Sequence, residues 1–249
     1  MKKEKLNIIA FIPARAGSKR IPGKNIREMN GHPLIAYTIM VALKCGLFSK
    51  VITSTDCPQT AQIAKKYGAD VPFLRPKEFA SDTSLDIEWV TFHLEQLKNQ
   101  NELPDAFAIL RPTNPFRKIK MLERAYSLFC SSLSADSLRA IQKCSEHPYK
   151  MWIIESEKCM KPLFQHNPNE QLTPFHSMPY QSLPPTYVQN ASLEIAYTKT
   201  VFEKKSISGT EVIPFITEDY EGYDINTNDD WLYANYLVDN KLVEIIDLN

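Results

Sequence analysis

The chain has 249 residues, 43% of them hydrophobic, enough to bury the core of one ordinary α/β domain. Its 29 basic residues balance 29 acidic ones, which gives no support for DNA or RNA as a partner, because domains that bind nucleic acid are basic. No run approaches the ~20 apolar residues of a membrane span, and five cysteines without a C-x-x-C spacing read as reduced thiols of a cytoplasmic protein rather than as a disulfide framework.

Residues 1–16 imitate a secretory leader, with Lys2 and Lys3 ahead of an apolar stretch and Ala14-Arg15-Ala16 where a cleavage site would stand. The apolar run 8–12 is too short for such a leader, and Arg15, Lys19 and Arg20 follow at once. A buried central strand over 6–12 is expected instead. A loop over 13–25 follows, then a helix over 33–44 with Pro33 near its first turn and Gly46 just past its end. A strand over 50–54, a helix over 58–67, an extended piece over 71–74 and a helix over 84–98 come next. A strand over 106–110 and a helix over 119–130 complete the first half. Alternation of this kind predicts βαβ units on a mostly parallel sheet flanked by helices, with ligands beyond the carboxyl ends of the strands. After a possible strand over 137–143, residues 147–189 are rich in Pro, Gln, Tyr and Met without clear period. They read as an inserted arm that covers a site or packs on a second subunit. Strands over 193–197 and 212–215 and a helix over 229–238 end a single domain spanning 1–249.

The loop 13–25 places Arg15, Lys19, Arg20 and Lys24 within ten residues, with Gly17 and Ser18 between them. Gly17 is expected to turn the backbone so that its amides face inward as an anion nest, with the side chains adding charge for a triphosphate. The pattern is not GxxxxGK[ST], which argues against a P-loop ATPase. A solvated basic turn is the bland alternative.

A triphosphate needs a divalent cation, and Mg²⁺ prefers oxygen ligands. Asp224 and Asn226 alternate in the segment 223–230, so in an extended conformation they share one face and could share one metal. Asp229 and Asp230 suit the first turn of the last helix, where negative charge is favoured. Arg111 follows a strand, where substrate contacts are expected, and Arg117 suits loop organisation. Ser81 or Asp82 taken alone reads as a helix N-cap. His93-Leu-Glu95 has the H-x-E of zinc deaminases but not their P-C-x-x-C.

Taken together, IPARAGSKRIPGKN (12–25), Ser54-Thr55-Asp56, LRPKEFASDTS (74–84), LRPTNPFR (110–117), HPYK (147–150), YVQN (187–190) and DINTNDD (224–230) resemble the acylneuraminate cytidylyltransferases over nearly the whole chain. The resemblance implies a Rossmann-like α/β nucleotidyltransferase fold and a homodimer. It also implies CTP and Mg²⁺ as co-substrate and cofactor, and an acidic nonulosonic sugar as acceptor. It implies that Arg15, Ser18, Lys19, Lys24 and Asn25 bind the CTP phosphates and that Arg75, Ser81 and Asp82 edge the cytidine pocket. Arg111, Lys150, Gln189 and Asn190 would meet the sugar, Asp224 with Asn226 would hold metal, and Arg15, Lys24 and Asp224 would act in catalysis. Four departures stand out, the first being Asn226 where the family often has a second Asp. Arg111 occupies a place where the family often has Gln. Ala191 follows Asn190 where the family has Gly. The stretch 178–190 carries no Arg or Lys to take the sugar carboxylate, so the acceptor could be another acidic sugar. A nucleotidyltransferase acting on a sugar 1-phosphate and a non-catalytic nucleotide-binding homologue are the alternatives.

Overall fold

The computed structural model describes residues 6–132, 134–164 and 173–248. In chain order its elements begin with β1 (Ile8–Pro13), β2 (Glu28–Met29), β3 (His32–Pro33), α1 (Leu34–Lys44), β4 (Lys50–Ser54) and α2 (Pro58–Lys66). There follow α3 (Asp86–Asn99), β5 (Ala106–Ile109), α4 (Ile119–Ser131), β6 (Ser137–Lys143), β7 (Trp152–Ser156) and β8 (Cys159–Pro162). The last are β9 (Tyr187–Tyr197), α5 (Thr198–Lys204), β10 (Val212–Ile216) and α6 (Asn228–Asp239). The chain divides into two compact units, 1–140 with 190–249, and 141–189.

The main sheet has the order β10-β6-β9-β5-β1-β4. Strand β1 lies between β5 and the edge strand β4 and is parallel to both, while β9 runs antiparallel to β5. Both faces of β1 are covered, which is why it reads as an unbroken apolar run. Ile8, Ala10 and Ile12 pack with Ile35 and Ile39 of α1 and with Met121, Leu122 and Phe129 of α4. The alternate residues Ile9 and Phe11 pack with Trp89, Val90 and Leu94 of α3 and with Val201 of α5. The β1–β4 register sets Pro13 beside Ser54, so the loops after these two strands leave the sheet together.

The extended piece expected over 71–74 is reduced to a single bridge, in which the Asp70 amide donates to Val51 and its carbonyl accepts from Thr53. Pro72 has no amide hydrogen with which to continue the ladder. Helix α3 starts at Asp86 rather than 84, and β9 starts six residues before the expected strand. Residues 187–189 are exposed and polar in part, so no apolar period announced them.

The second unit takes in the predicted arm and begins earlier, at residue 141. Residues 165–172 of that arm lie outside the described residues. Within the unit β7 and β8 form an antiparallel hairpin. The Tyr149 ring stacks on Phe175 with centroids 4.2 Å apart, and His147 hydrogen-bonds the Pro184 carbonyl at 2.9 Å. Lys150 donates to the carbonyls of His176 (3.1 Å) and Met178 (2.8 Å). Aromatic stacking and charge-assisted bonds to carbonyls replace the periodic core that the sequence lacks there.

Gly209 gives a test of the first unit. It has φ of +67°, and a Cβ there would stand 2.4 Å from the Asp136 carboxylate. That carboxylate accepts from Lys204 and from the amides of Thr210 and Glu211, so it has no room to retreat. Gly209→Ala is expected to lower stability by about 2 kcal/mol, read from the midpoint of urea denaturation. An unchanged midpoint would show that the 206–211 turn is more plastic than its bonding implies.

Candidate active site

A cleft of about 510 Å³ opens in the first unit, lined by residues just past β1 and β5, by the stretch 75–89 and by Asp224 and Asn226. The loop after β1 is pinned at its start, where the Ala14 amide donates to Ser54 and the Ala16 amide donates to the Asp56 carboxylate, both at 2.9 Å. The left-handed residue of the loop is Gly23 (φ +64°), while Gly17, expected to turn the backbone, has no positive φ. A Cβ at Gly17 would meet nothing within 4 Å. Gly23 leads into a 3₁₀ turn over Lys24–Ile26, which buries Lys24 against the segment 224–226, its ammonium donating to the Ile225 carbonyl at 2.6 Å. That burial pushes the Lys24 pKa down, and Asp224 nearby opposes the shift. Asn25 donates to the Arg15 carbonyl (3.2 Å) and ties the two ends of the loop.

The loop cations divide into two groups. Arg15 and Lys19 both pair with Asp82, and Arg15 also donates to the carbonyls of Ala80 and Ser81. Arg20 donates to Asn226 at 3.1 Å, beside Lys24. Ser18, Asn25 and Ser81 line the same cleft. Neither Ser81 nor Asp82 caps α3, because Leu85 precedes its first turn and the Leu85 amide donates to Glu88.

Beside Lys24 and Arg20, Asp224 and Asn226 share one side, as their alternation predicted. The Asp224 Oδ2 accepts from the Asn226 side-chain Nδ2 at 2.6 Å. Its Oδ1 is buried and, among the described residues, has no hydrogen-bond partner. The Asn226 side-chain oxygen accepts from Arg20, so it is already engaged. The segment is anchored to the β5 loop, with the Ile225 amide donating to Thr113 and Asn114 donating to Tyr223, both at 2.9 Å. Thr227 and Asp230 cap α6 reciprocally, so the acidic pair 229–230 serves the helix as expected. Among the described residues no group of three or more His, Cys, Asp and Glu side chains converges as a metal cluster.

Arg75 closes the β4 side. Its guanidinium lies 4.6 Å from the Trp89 ring centroid, and it donates to the Ser54 hydroxyl (2.9 Å) and the Ser54 carbonyl (3.1 Å). Burial draws its pKa down to about 10, which leaves it cationic at neutral pH. The Ser54 hydroxyl also hydrogen-bonds His93 Nε2 at 2.6 Å. Burial first, and the Arg75 charge second, hold the His93 pKa down at about 3. An unfolded histidine titrates near 6.5, so the unfolded chain binds the extra proton first. Its contribution to stability is therefore complete above about pH 6.5 and is lost as pH falls toward 3, at up to about 1.4 kcal/mol per pH unit. The melting temperature of His93→Gln is expected to fall less between pH 7 and pH 4.5 than that of the parent protein. Parallel curves would mean that His93 does not titrate in this window.

Arg111 stands on the β5 side. One of its terminal nitrogens donates to both Asp86 (2.6 Å) and Glu194 (2.8 Å). Asp86 also accepts from the Trp89 indole, and Glu194, buried in β9, pairs with Arg139 of β6. Arg117, also buried, organises the loop as expected, donating to Thr38 and to the carbonyls of Ser192 and Arg111. Sequence reading missed Asp86, Trp89, Arg139 and Glu194. Glu194 carried a signal, a single charge inside the apolar run Leu193-Glu-Ile-Ala196, which must be paired when buried.

The other acceptor-side expectations fare differently. Lys150 spends its ammonium on two carbonyls of the second unit, and Gln189 belongs to that unit, at the exposed beginning of β9. Asn190 is buried and does not line the cleft: its amide donates to Thr217, and its oxygen accepts from the Ser192 amide and hydroxyl. The neighbouring Ala191 lines the cleft instead, in a left-handed conformation (φ +56°) that explains why glycine suits this position.

The family model described as "Cytidylyltransferase" matches residues 9–137, just over half of the chain. The chain belongs to the cytidylyltransferase family. Within it, the chain is 35% identical to the CMP-N,N'-diacetyllegionaminic acid synthase of Legionella pneumophila, over 94% of its own length and 97% of the relative's. It is 40% identical to a pseudaminic acid cytidylyltransferase of Campylobacter jejuni, over 51% of its own length and 54% of the relative's. Among solved structures, a CMP:2-keto-3-deoxy-manno-octonic acid synthetase complexed with CTP shares the fold. It has a TM-score of 0.69 at 13% identity and covers 94% of this chain and 99% of that one. The matched stretch carries the cation loop, Arg75 and Arg111, while Asp224 comes from beyond it. Among the described residues no helix is long and apolar enough to cross a membrane.

Proposed function

We propose that the protein transfers CMP from CTP to the anomeric hydroxyl of a nonulosonic acid and releases pyrophosphate, working with Mg²⁺ as a cytoplasmic homodimer. The observation that carries the reading is the meeting of the cation loop with the unpartnered Asp224 Oδ1 across one cleft. Kinship with CMP-nonulosonic acid synthases supports the acceptor class.

The sugar hydroxyl attacks the α-phosphorus, the bond to the β-phosphate oxygen breaks, and the hydroxyl proton passes to water. Arg15 and Lys19 leave Asp82 to take the β- and γ-phosphates and hold the departing pyrophosphate. Lys24 and Asn25 sit where the loop bends back and orient the α-phosphate, Lys24 being fixed by the Ile225 carbonyl. Ser18 lines the phosphate end, while Arg75, Ser81 and Asp82 border the nucleoside. Asp224 would hold Mg²⁺, since its buried Oδ1 is a hard oxygen without a hydrogen-bond partner among the described residues and this ion takes few protein ligands. Asn226 would join only on releasing Arg20. Mg²⁺ bound there supplies charge neutralisation across the phosphate oxygens.

Pyrophosphate release with CTP, Mg²⁺ and a panel of legionaminic, pseudaminic and sialic acids tests the reading, with turnover expected on at least one. Turnover only with a sugar 1-phosphate, or tight CTP binding without turnover on any acceptor, would overturn it.

A further inference from the structure

We propose that Arg111 is the residue that takes the carboxylate of the acceptor sugar, which makes this cleft specific for acids without help from a basic arm. The proposal rests on the CMP-transfer reading above and names the group that selects its acceptor.

The geometry of Arg111 is that of a held donor rather than a filled one. Both of its ion pairs, to Asp86 and to Glu194, are made through the same terminal nitrogen. Among the described residues its Nε and its other terminal nitrogen make no hydrogen bond, and the side chain lines the cleft. The clamps are themselves fixed, Asp86 by the Trp89 indole at 2.8 Å and Glu194 by Arg139 behind it. A guanidinium anchored through Nη2 keeps its Nη1 and Nε N–H groups as charged donors, and Nη1 takes a carboxylate oxygen end-on.

Charge points the same way. Arg75, Arg111 and Arg139 act on one another and on Asp86, and the carboxylates that face them are Asp86 and Glu194. Three guanidinium groups against two carboxylates leave one positive charge in a partly buried wall. The next groups outward, Arg15 and Lys19 against Asp56 and Asp82, leave that excess unchanged. One incoming carboxylate balances the wall, whereas a neutral sugar leaves it unpaired and desolvated. Position separates this group from the triphosphate. The loop cations leave β1, whereas Arg111 leaves β5 on the side toward β9, next to Thr113, to which the Ile225 amide is bonded. The acceptor carboxylate would thus be held beside the Asp224 segment, where the reacting hydroxyl must lie.

The experiment compares an accepted nonulosonic acid with its C1 carboxamide, on the parent protein and on Arg111→Gln. The parent is expected to lose on the order of 100-fold in kcat/KM on going to the carboxamide. Arg111→Gln is expected to lose a similar factor on the acid, with KM for CTP within about twofold, and to discriminate little between acid and carboxamide. Removing Arg111 sets Asp86 and Glu194 against each other, so the folded fraction is checked by thermal melting. Arg111→Lys, which keeps the charge and loses the held Nη1 donor, serves if the Gln variant does not fold. It is expected to recover only part of the discrimination. Equal discrimination in parent and variant places the carboxylate elsewhere and overturns the proposal. So does a rise in KM for CTP alone, which assigns Arg111 to the nucleotide. Absence of turnover by the parent with every nonulosonic acid is a different failure, and it removes the CMP-transfer reading itself.

Discussion

Asp224→Asn is expected to lower pyrophosphate release at saturating CTP and Mg²⁺ by roughly 100- to 1,000-fold, the range seen when a group that stabilises transition-state charge is removed. The substitution is nearly isosteric. Its shape lets the hydrogen bond with Asn226 persist after an amide rearrangement, while the buried Oδ1 loses its negative charge. The fold should hold, because Ile225 and Asn114 anchor the segment through backbone groups. Raising Mg²⁺ should recover part of the rate, as expected of a weakened metal ligand. A variant that turns over within threefold of the parent at every Mg²⁺ concentration would remove Asp224 from the reaction.

Glu194→Ala is expected to cost about 3–4 kcal/mol of stability, or roughly 10 °C in melting temperature for a chain of this size. Glu194 is buried in β9 and stands between Arg111 and Arg139. Its removal leaves Arg139 without its carboxylate and two guanidinium groups in mutual repulsion, while Arg111 keeps Asp86. The cost comes from the stranded charges rather than from the lost pair itself, so Glu194→Leu combined with Arg139→Met should regain much of the loss. A melting temperature for Glu194→Ala within 2 °C of the parent would show that solvent reaches the cluster and screens it.

The two substitutions probe parts of the cleft that were not equally legible. Asp224 lies in a short motif whose alternation survives in the fold, so period alone placed Asp224 and Asn226 on one side. The loop after β1 was legible for the same reason, since its chemistry is confined to about a dozen consecutive residues. Within it Gly17 and Gly23 are indistinguishable in sequence, and only the turn that buries Lys24 shows Gly23 to be left-handed. Asn190 was assigned to the acceptor from its motif. In the fold it bonds to Thr217 across the chain and to Ser192, and Ala191 faces the cleft in its place.

The alternation of strands and helices, the buried first strand and the cation-bearing loop were determined by the sequence alone. Each depends on neighbours within a few residues, where apolar period and turn chemistry act directly. Tertiary structure alone decided the partners of the charges. Arg75, Arg111, Asp86, Arg139 and Glu194 come from β6, β9, α3, the segment after α2 and the loop after β5, and they meet because the sheet order sets β9 beside β5 and β6 beside β9. Nothing local distinguishes a buried arginine that holds a substrate from one that braces a loop. The difference between Arg111 and Arg117 lies in which of their nitrogens the fold leaves unbonded.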